Sequence, residues 1–108
     1  MTAVEMILTG PAEWMTQYVN QLVSDRLIAC AQLGPIVSTY RWEGEVEIAN
    51  ETRAALHTIQ DNVATLMERT QTAHPYDVPC ILVMPIQSAN PAYLDWIIAS
   101  CQAEVATT

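Results

Sequence analysis

Lysine and phenylalanine are absent from this chain of 108 residues, glycine occurs three times, and charged side chains make up only 15%. Each shortage excludes something. Four arginines against twelve acidic residues leave a net charge of -8. Phosphate backbones are held by clustered Lys and Arg, so nucleic acid is excluded as the main partner. The acidic balance suits cations, or simply solubility. Three widely separated cysteines give no disulfide framework, and the expected compartment is the reducing cytosol. No apolar window approaches a membrane span, and Met1 to Met6 offer no basic region ahead of a short apolar run. Neither a membrane anchor nor a signal peptide is therefore expected.

What is present is apolar: 51% of the residues. With so little charge, part of that surface is expected to be buried against another subunit. No low-complexity linker divides the chain, so one domain is expected over residues 1–102, followed by a loose tail at 103–108.

Ile7-Leu8-Thr9 closes a short strand that Gly10-Pro11 punctuates. Trp14, Met15, Tyr18, Val19, Leu22, Val23 and Leu27 recur at helical spacing, which predicts a helix over 12–28. Ile28 to Ala31 begins an extended run with an expected bulge at Gly34-Pro35. Ile36, Ser38, Tyr40 and Trp42 then alternate as a strand, Glu43-Gly44 turns the chain, and a second strand returns to about Thr58. Thr58 with Asp61 fits a capping box opening a helix that Pro75 ends at His74. Cys80 to Met84, bounded by prolines, predicts a central buried strand, and Asn90-Pro91 opens a last helix.

The order is β-α-β-β-α-β with an extra C-terminal helix: an α+β, ferredoxin-like split βαβ fold. Its helices are expected on one face of the sheet, leaving the other for a second subunit.

Chemistry rests on few side chains. Thiolate and imidazole suit copper or zinc, so Cys30, His74 and Cys80, from three elements, are the candidate metal ligands. Cys30 and Cys101 also fit as small core residues. His57 is expected on a strand, facing solvent or a neighbour. Trp42 and Tyr40 at the hairpin tip need a surface to cover their rings, for which a subunit contact serves. No phosphate loop, nucleophile elbow or metalloprotease motif is present, and the chain reads as a non-enzyme without an organic cofactor.

Arg26-Leu27, Ala29-Cys30-Ala31, Gly34, Tyr40, Trp42-Glu43-Gly44, Glu51, His74-Pro75-Tyr76, Val78-Pro79 and Asn90-Pro91-Ala92-Tyr93-Leu94 with Trp96 together resemble the CutA family of divalent-cation tolerance proteins. The resemblance runs from about Met6 to Ile97. It implies a ferredoxin-like domain, a tight PII-like homotrimer, and a cytosolic role in tolerance of copper and other divalent cations. Two positions depart from the family pattern: Cys80 stands where a glutamate is usual, and His57 where the long third strand usually ends in lysine.

Three functions follow as expectations. One is a trimeric, cytoplasmic protein that binds copper or another divalent metal. A second is a PII-like sensor holding a small ligand in an inter-subunit cleft lined by Trp42, Glu43, His74 and Tyr76. The third is a trimeric scaffold for a protein partner.

Overall fold

The computed structural model describes residues 1–102; the expected tail at 103–108 lies outside them. The elements are β1 (Ala3–Gly10), α1 (Ala12–Ser24), β2 (Cys30–Trp42), β3 (Glu45–Ile59), α2 (Val63–Ala73), β4 (Ile81–Pro85) and α3 (Pro91–Ser100), with a 3-10 turn at Gln60–Asn62. One antiparallel sheet runs in the order β2-β3-β1-β4. The fold class and element order are those expected. β4 is an edge strand, however, and not central; its Leu82 and Met84 remain 52% and 38% exposed. Its uninterrupted apolar run reflects a second apolar face that the chain itself leaves open.

Side chains alternate across the sheet, so each strand serves two faces. On one face Met6, Leu8, Ala54 and Leu56 pack against Met15, Tyr18, Val19 and Leu22 of α1 and Leu66 of α2. Burying each large aliphatic side chain here contributes roughly 1.5–3 kcal/mol before the entropy of ordering it. The expectation of helices on one face only is corrected: α3 crosses the other. There Ile97 and Cys101, with partly buried Tyr93, Leu94 and Ile98, cluster with Ala3 and Ile59.

The predicted helix over 12–28 stops at Ser24. Arg26 takes a left-handed backbone at φ 62°. Its N–H donates to the Val23 carbonyl at 3.0 Å, and the Leu27 N–H reaches back to Leu22 at 3.0 Å. This is a Schellman stop with arginine where glycine is usual. It explains why Leu27 sits in the core without being helical.

No bulge forms at Gly34-Pro35, because every pair from Cys30↔His57 to Trp42↔Glu45 keeps one register. The capping box is also absent. Thr58 stays in β3 and its hydroxyl donates to the Leu27 carbonyl at 2.6 Å, which Asn62 also reaches at 3.0 Å. The two-residue turn Glu43-Gly44 has φ values of 50° and 82°, as a type I′ hairpin requires.

β1 reaches β3 only as far as Gly10↔Thr52, so residues 36–51 stand beyond the sheet as a two-stranded arm. The arm is apolar on both faces. Val37 and Ile48 are 67% and 71% exposed on one, while Tyr40 and Trp42 project from the other.

Candidate functional site

Two regions bring chemistry-bearing side chains together, and neither is the expected trio. Among the described residues no three His, Cys, Asp or Glu side chains converge as metal ligands. Cys30, His74 and Cys80 are separated because each belongs to a different neighbourhood.

His74 forms a corner. Its Nε2 donates to the Thr9 carbonyl at 2.8 Å, and its Nδ1 accepts the Tyr76 N–H at 3.1 Å. Both ring nitrogens are thus occupied. Trp14 and Tyr76 pack on the ring, at centroid distances of 4.5 and 4.8 Å. Gly10 makes room for it, since a Cβ there would lie 3.1 Å from Nε2. Pro75 ends α2 and this corner turns the chain towards β4. In this chain His74 thus holds a structural corner between α2 and β4.

An open cleft of about 790 Å³ lies between the arm and the segment after α2. Tyr40, Trp42 and Glu51 line it from the hairpin, Tyr76 and Asp77 from the connecting segment, with Thr9 and Cys80 at its floor. Of the four expected cleft residues, Trp42 and Tyr76 line it; Glu43 and His74 do not. Burial pushes the Tyr76 phenol above its usual range, and its hydrogen bond to Glu51 adds to the shift.

The second region lies under α3. Cross-strand register sets Cys30 beside His57 and His57 beside Glu5, in one row on one face of the sheet. Tyr93 of α3 closes over the row. Glu5 Oε2 is 2.9 Å from His57 Nε2, while His57 Nδ1 lies 2.5 Å from Tyr93 Oη and 3.5 Å from Cys30 Sγ. Cys30 Sγ is 3.2 Å from the same phenol oxygen. Burial, with the bond to Cys30 second, pushes the Tyr93 phenol up to about 12.

The expectation that His57 faces solvent or a neighbour is thus overturned: it is buried and fully engaged. Glu5, His57 and Tyr93 were not grouped by the sequence because a last helix crossing the second face is invisible to periodicity. Cys30 and His57 lie 27 residues apart on different strands, and only the cross-strand register sets them side by side. Cys101 is buried near Thr58, its Sγ 3.7 Å from the hydroxyl. Burial raises its thiol above the usual range.

The sequence matches the family described as CutA1 divalent ion tolerance protein over residues 4–100. A divalent-cation tolerance protein CutA of Pyrococcus horikoshii is 42% identical over 95 residues, covering 86% of this chain and 93% of that one. The crystal structure of a rice (Oryza sativa) CutA1 superposes with a TM-score of 0.91 at 29% identity, covering 96% of this chain and 97% of that chain. A PII-like CutA of Nostoc, in apo form, shares the fold at a TM-score of 0.89, 23% identity, and coverage of 94% and 99%.

Proposed function

Because the chain belongs to the CutA1 divalent ion tolerance family, we propose that it acts in tolerance of divalent cations, copper among them, as a cytoplasmic homotrimer that binds the metal directly. The match across residues 4–100 carries this reading. The resemblance of the chain to the curated CutA relative over most of both lengths supports it.

The trimer is supported by surface chemistry. Isolated two-stranded hairpins are marginal in water, and an arm with exposed Val37, Tyr40, Trp42, Val46 and Ile48 needs a protein surface against it. Second and third copies supply one without any new sequence. Direct binding is supported by the soft donors Cys30 and His57, which favour copper and zinc over magnesium or calcium.

The test has two arms. Cells lacking the protein should lose growth on elevated copper and regain it with this chain. Sedimentation of the purified protein should give the mass of three chains, and an Ile48→Asp, Val37→Asp variant should give less. A wild-type monomer, or unchanged growth after deletion, ends the reading.

The cleft favours a second reading, a sensor holding a small ligand between protomers. Its aromatic walls, Tyr40, Trp42 and Tyr76, suit a flat or cationic organic group. A thermal shift from one compound in a metabolite panel, lost in Trp42→Ala, supports it; no shift from any compound removes it.

A further inference from the structure

The row under α3 contains more than a hydrogen-bonded core histidine. A proton on Nε2 satisfies the Glu5 carboxylate, and in the neutral imidazole this leaves the lone pair on Nδ1. That lone pair faces Tyr93 Oη at 2.5 Å and Cys30 Sγ at 3.5 Å, and these two atoms are 3.2 Å apart. Three donor atoms, from β2, β3 and α3, therefore close a triangle, and Cys30 is only partly buried, which leaves a way in.

We propose that Cys30 Sγ, His57 Nδ1 and Tyr93 Oη form a site for one borderline divalent ion of the zinc type, with Glu5 as the positioning residue for His57. It rests on the cation-tolerance reading for its relevance, and on geometry alone for its location.

Four observations carry it. Metal-bound histidines commonly donate their other ring N–H to a carboxylate, which fixes the tautomer and strengthens the ligand; Glu5 stands in that position. Thiolate and imidazole bound at about 2.3 and about 2.0 Å with a tetrahedral angle lie roughly 3.5 Å apart, matching the Cys30–His57 separation. The donors select against hard cations, since only the phenol oxygen is hard. Three ligands leave a fourth position for water, as in open zinc sites.

The proton balance also closes. A thiol and a phenol bind a metal ion as thiolate and phenolate, and an imidazole binds through a nitrogen lone pair. A divalent ion entering displaces the thiol and phenol protons to solvent, so the site gains two positive charges and releases two. No unpaired buried charge results. Tyr93 gives up its hydrogen bond to Nδ1 and turns its oxygen to the ion.

Cys30 and His57 sit on paired strands, so register holds their separation before any ion arrives, and Tyr93 supplies the movable third donor.

Cobalt(II), a spectroscopic stand-in for zinc, gives the test with reduced, full-length protein. One Co(II) per chain should bind with a thiolate-to-cobalt charge-transfer band and four-coordinate visible bands, bleached by Zn(II), with two protons released. Cys30→Ser should abolish the charge-transfer band and His57→Gln should weaken binding at least 100-fold. Glu5→Gln should weaken binding about 10- to 100-fold while keeping the band, and Tyr93→Phe should release one proton fewer. Cys80→Ser should change none of these.

A band that survives Cys30→Ser, or disappears with Cys80→Ser, overturns the site. A second measurement avoids variants: Zn(II) should slow alkylation of Cys30 in the wild-type protein, located by peptide mapping, and leave Cys80 unaffected. Equal alkylation of Cys30 with and without Zn(II) overturns the proposal. Growth separates the two readings. If Cys30→Ser protein loses Co(II) in vitro yet restores full tolerance in cells, the site stands and tolerance by binding falls. If wild-type protein binds no Co(II), the site falls whatever the cells do.

Discussion

The guanidinium of Arg26 donates to the Ala99 carbonyl at 2.9 Å, from a backbone that is itself left-handed at φ 62°. The same residue reaches the Ser100 carbonyl at 3.3 Å, and its own carbonyl accepts the Gln102 N–H at 2.8 Å. One residue thus ends α1 and caps α3, using its backbone for the first and its side chain for the second.

This double use sets an order of stabilities. Arg26→Ala keeps the left-handed strain and loses the carbonyl bonds, so about 1–2 kcal/mol of stability should go. Arg26→Gly loses the bonds but relieves about 1 kcal/mol of backbone strain. Urea denaturation should rank wild type above the glycine variant and the glycine variant above the alanine one. An alanine variant equal to wild type shows that the bonds to α3 contribute nothing.

Gly10 and His74 should behave as one unit. Gly10→Ala places a methyl 3.1 Å from His74 Nε2 and 3.3 Å from Trp14 Cε3, an overpacking that costs about 1–3 kcal/mol. His74→Ala removes the obstacle, so its effect in the Gly10→Ala background should be smaller than in wild type. A double-mutant cycle reads the coupling; strictly additive changes contradict the contact.

Tyr18 and Thr70 share a buried hydrogen bond of 2.7 Å. Tyr18→Phe leaves the Thr70 hydroxyl without that partner, at about 1–2 kcal/mol. Burial raises the Tyr18 phenol above its ordinary value of 10.0, the Thr70 bond opposing it in part. A raised folded pKa means the unfolded chain ionises first. The contribution is complete below pH 10 and is lost as pH climbs through the folded value. Chemical denaturation from pH 9 upward should show a shallower alkaline loss in Tyr18→Phe than in wild type, with other tyrosines supplying the remainder.

The turn at Glu43-Gly44 offers a stabilising change. Glu43 sits at φ 50°, a region that asparagine enters more readily and that type I′ turns favour as Asn-Gly. Glu43→Asn should raise stability by about 0.5 kcal/mol, whereas Gly44→Ala at φ 82° should lower it by about 1 kcal/mol. Thermal melts of both variants decide the matter; equal midpoints contradict the backbone account.

Much of the architecture was legible in the sequence. Helical spacing from Trp14 to Leu22, alternation from Ile36 to Trp42, the Glu43-Gly44 turn and Pro91 at a helix start each reflect local chemistry that the fold retains. The misreadings came where tertiary structure decides. Leu27 continued the helical spacing, yet it enters the core as the residue after a left-handed stop. Thr58 resembled a cap because its nearest acid is three residues on, while its hydroxyl bonds Leu27 across the sheet instead. The run from Ile81 to Met84 looked fully buried because an uninterrupted apolar run carries no periodicity to say which face the chain leaves exposed.

The candidate site was less legible than the fold. Cys30 was named as a soft donor, but the partners the structure gives it come from register and from a docked helix, neither of which spacing reveals. Trp42 and Tyr76, expected in a cleft between subunits, line a cleft within the single chain, since aromatic rings at a hairpin tip and after a helix stop have few places to go.

The position of α3 has a consequence for how the protein is made. β1, β2 and β3, which set Glu5, His57 and Cys30 in register, all precede α3 in the chain. The phenol that roofs them belongs to the following helix, so without that helix imidazole and thiol would face solvent. Synthesis from the N-terminus therefore delivers the floor of this row before its lid.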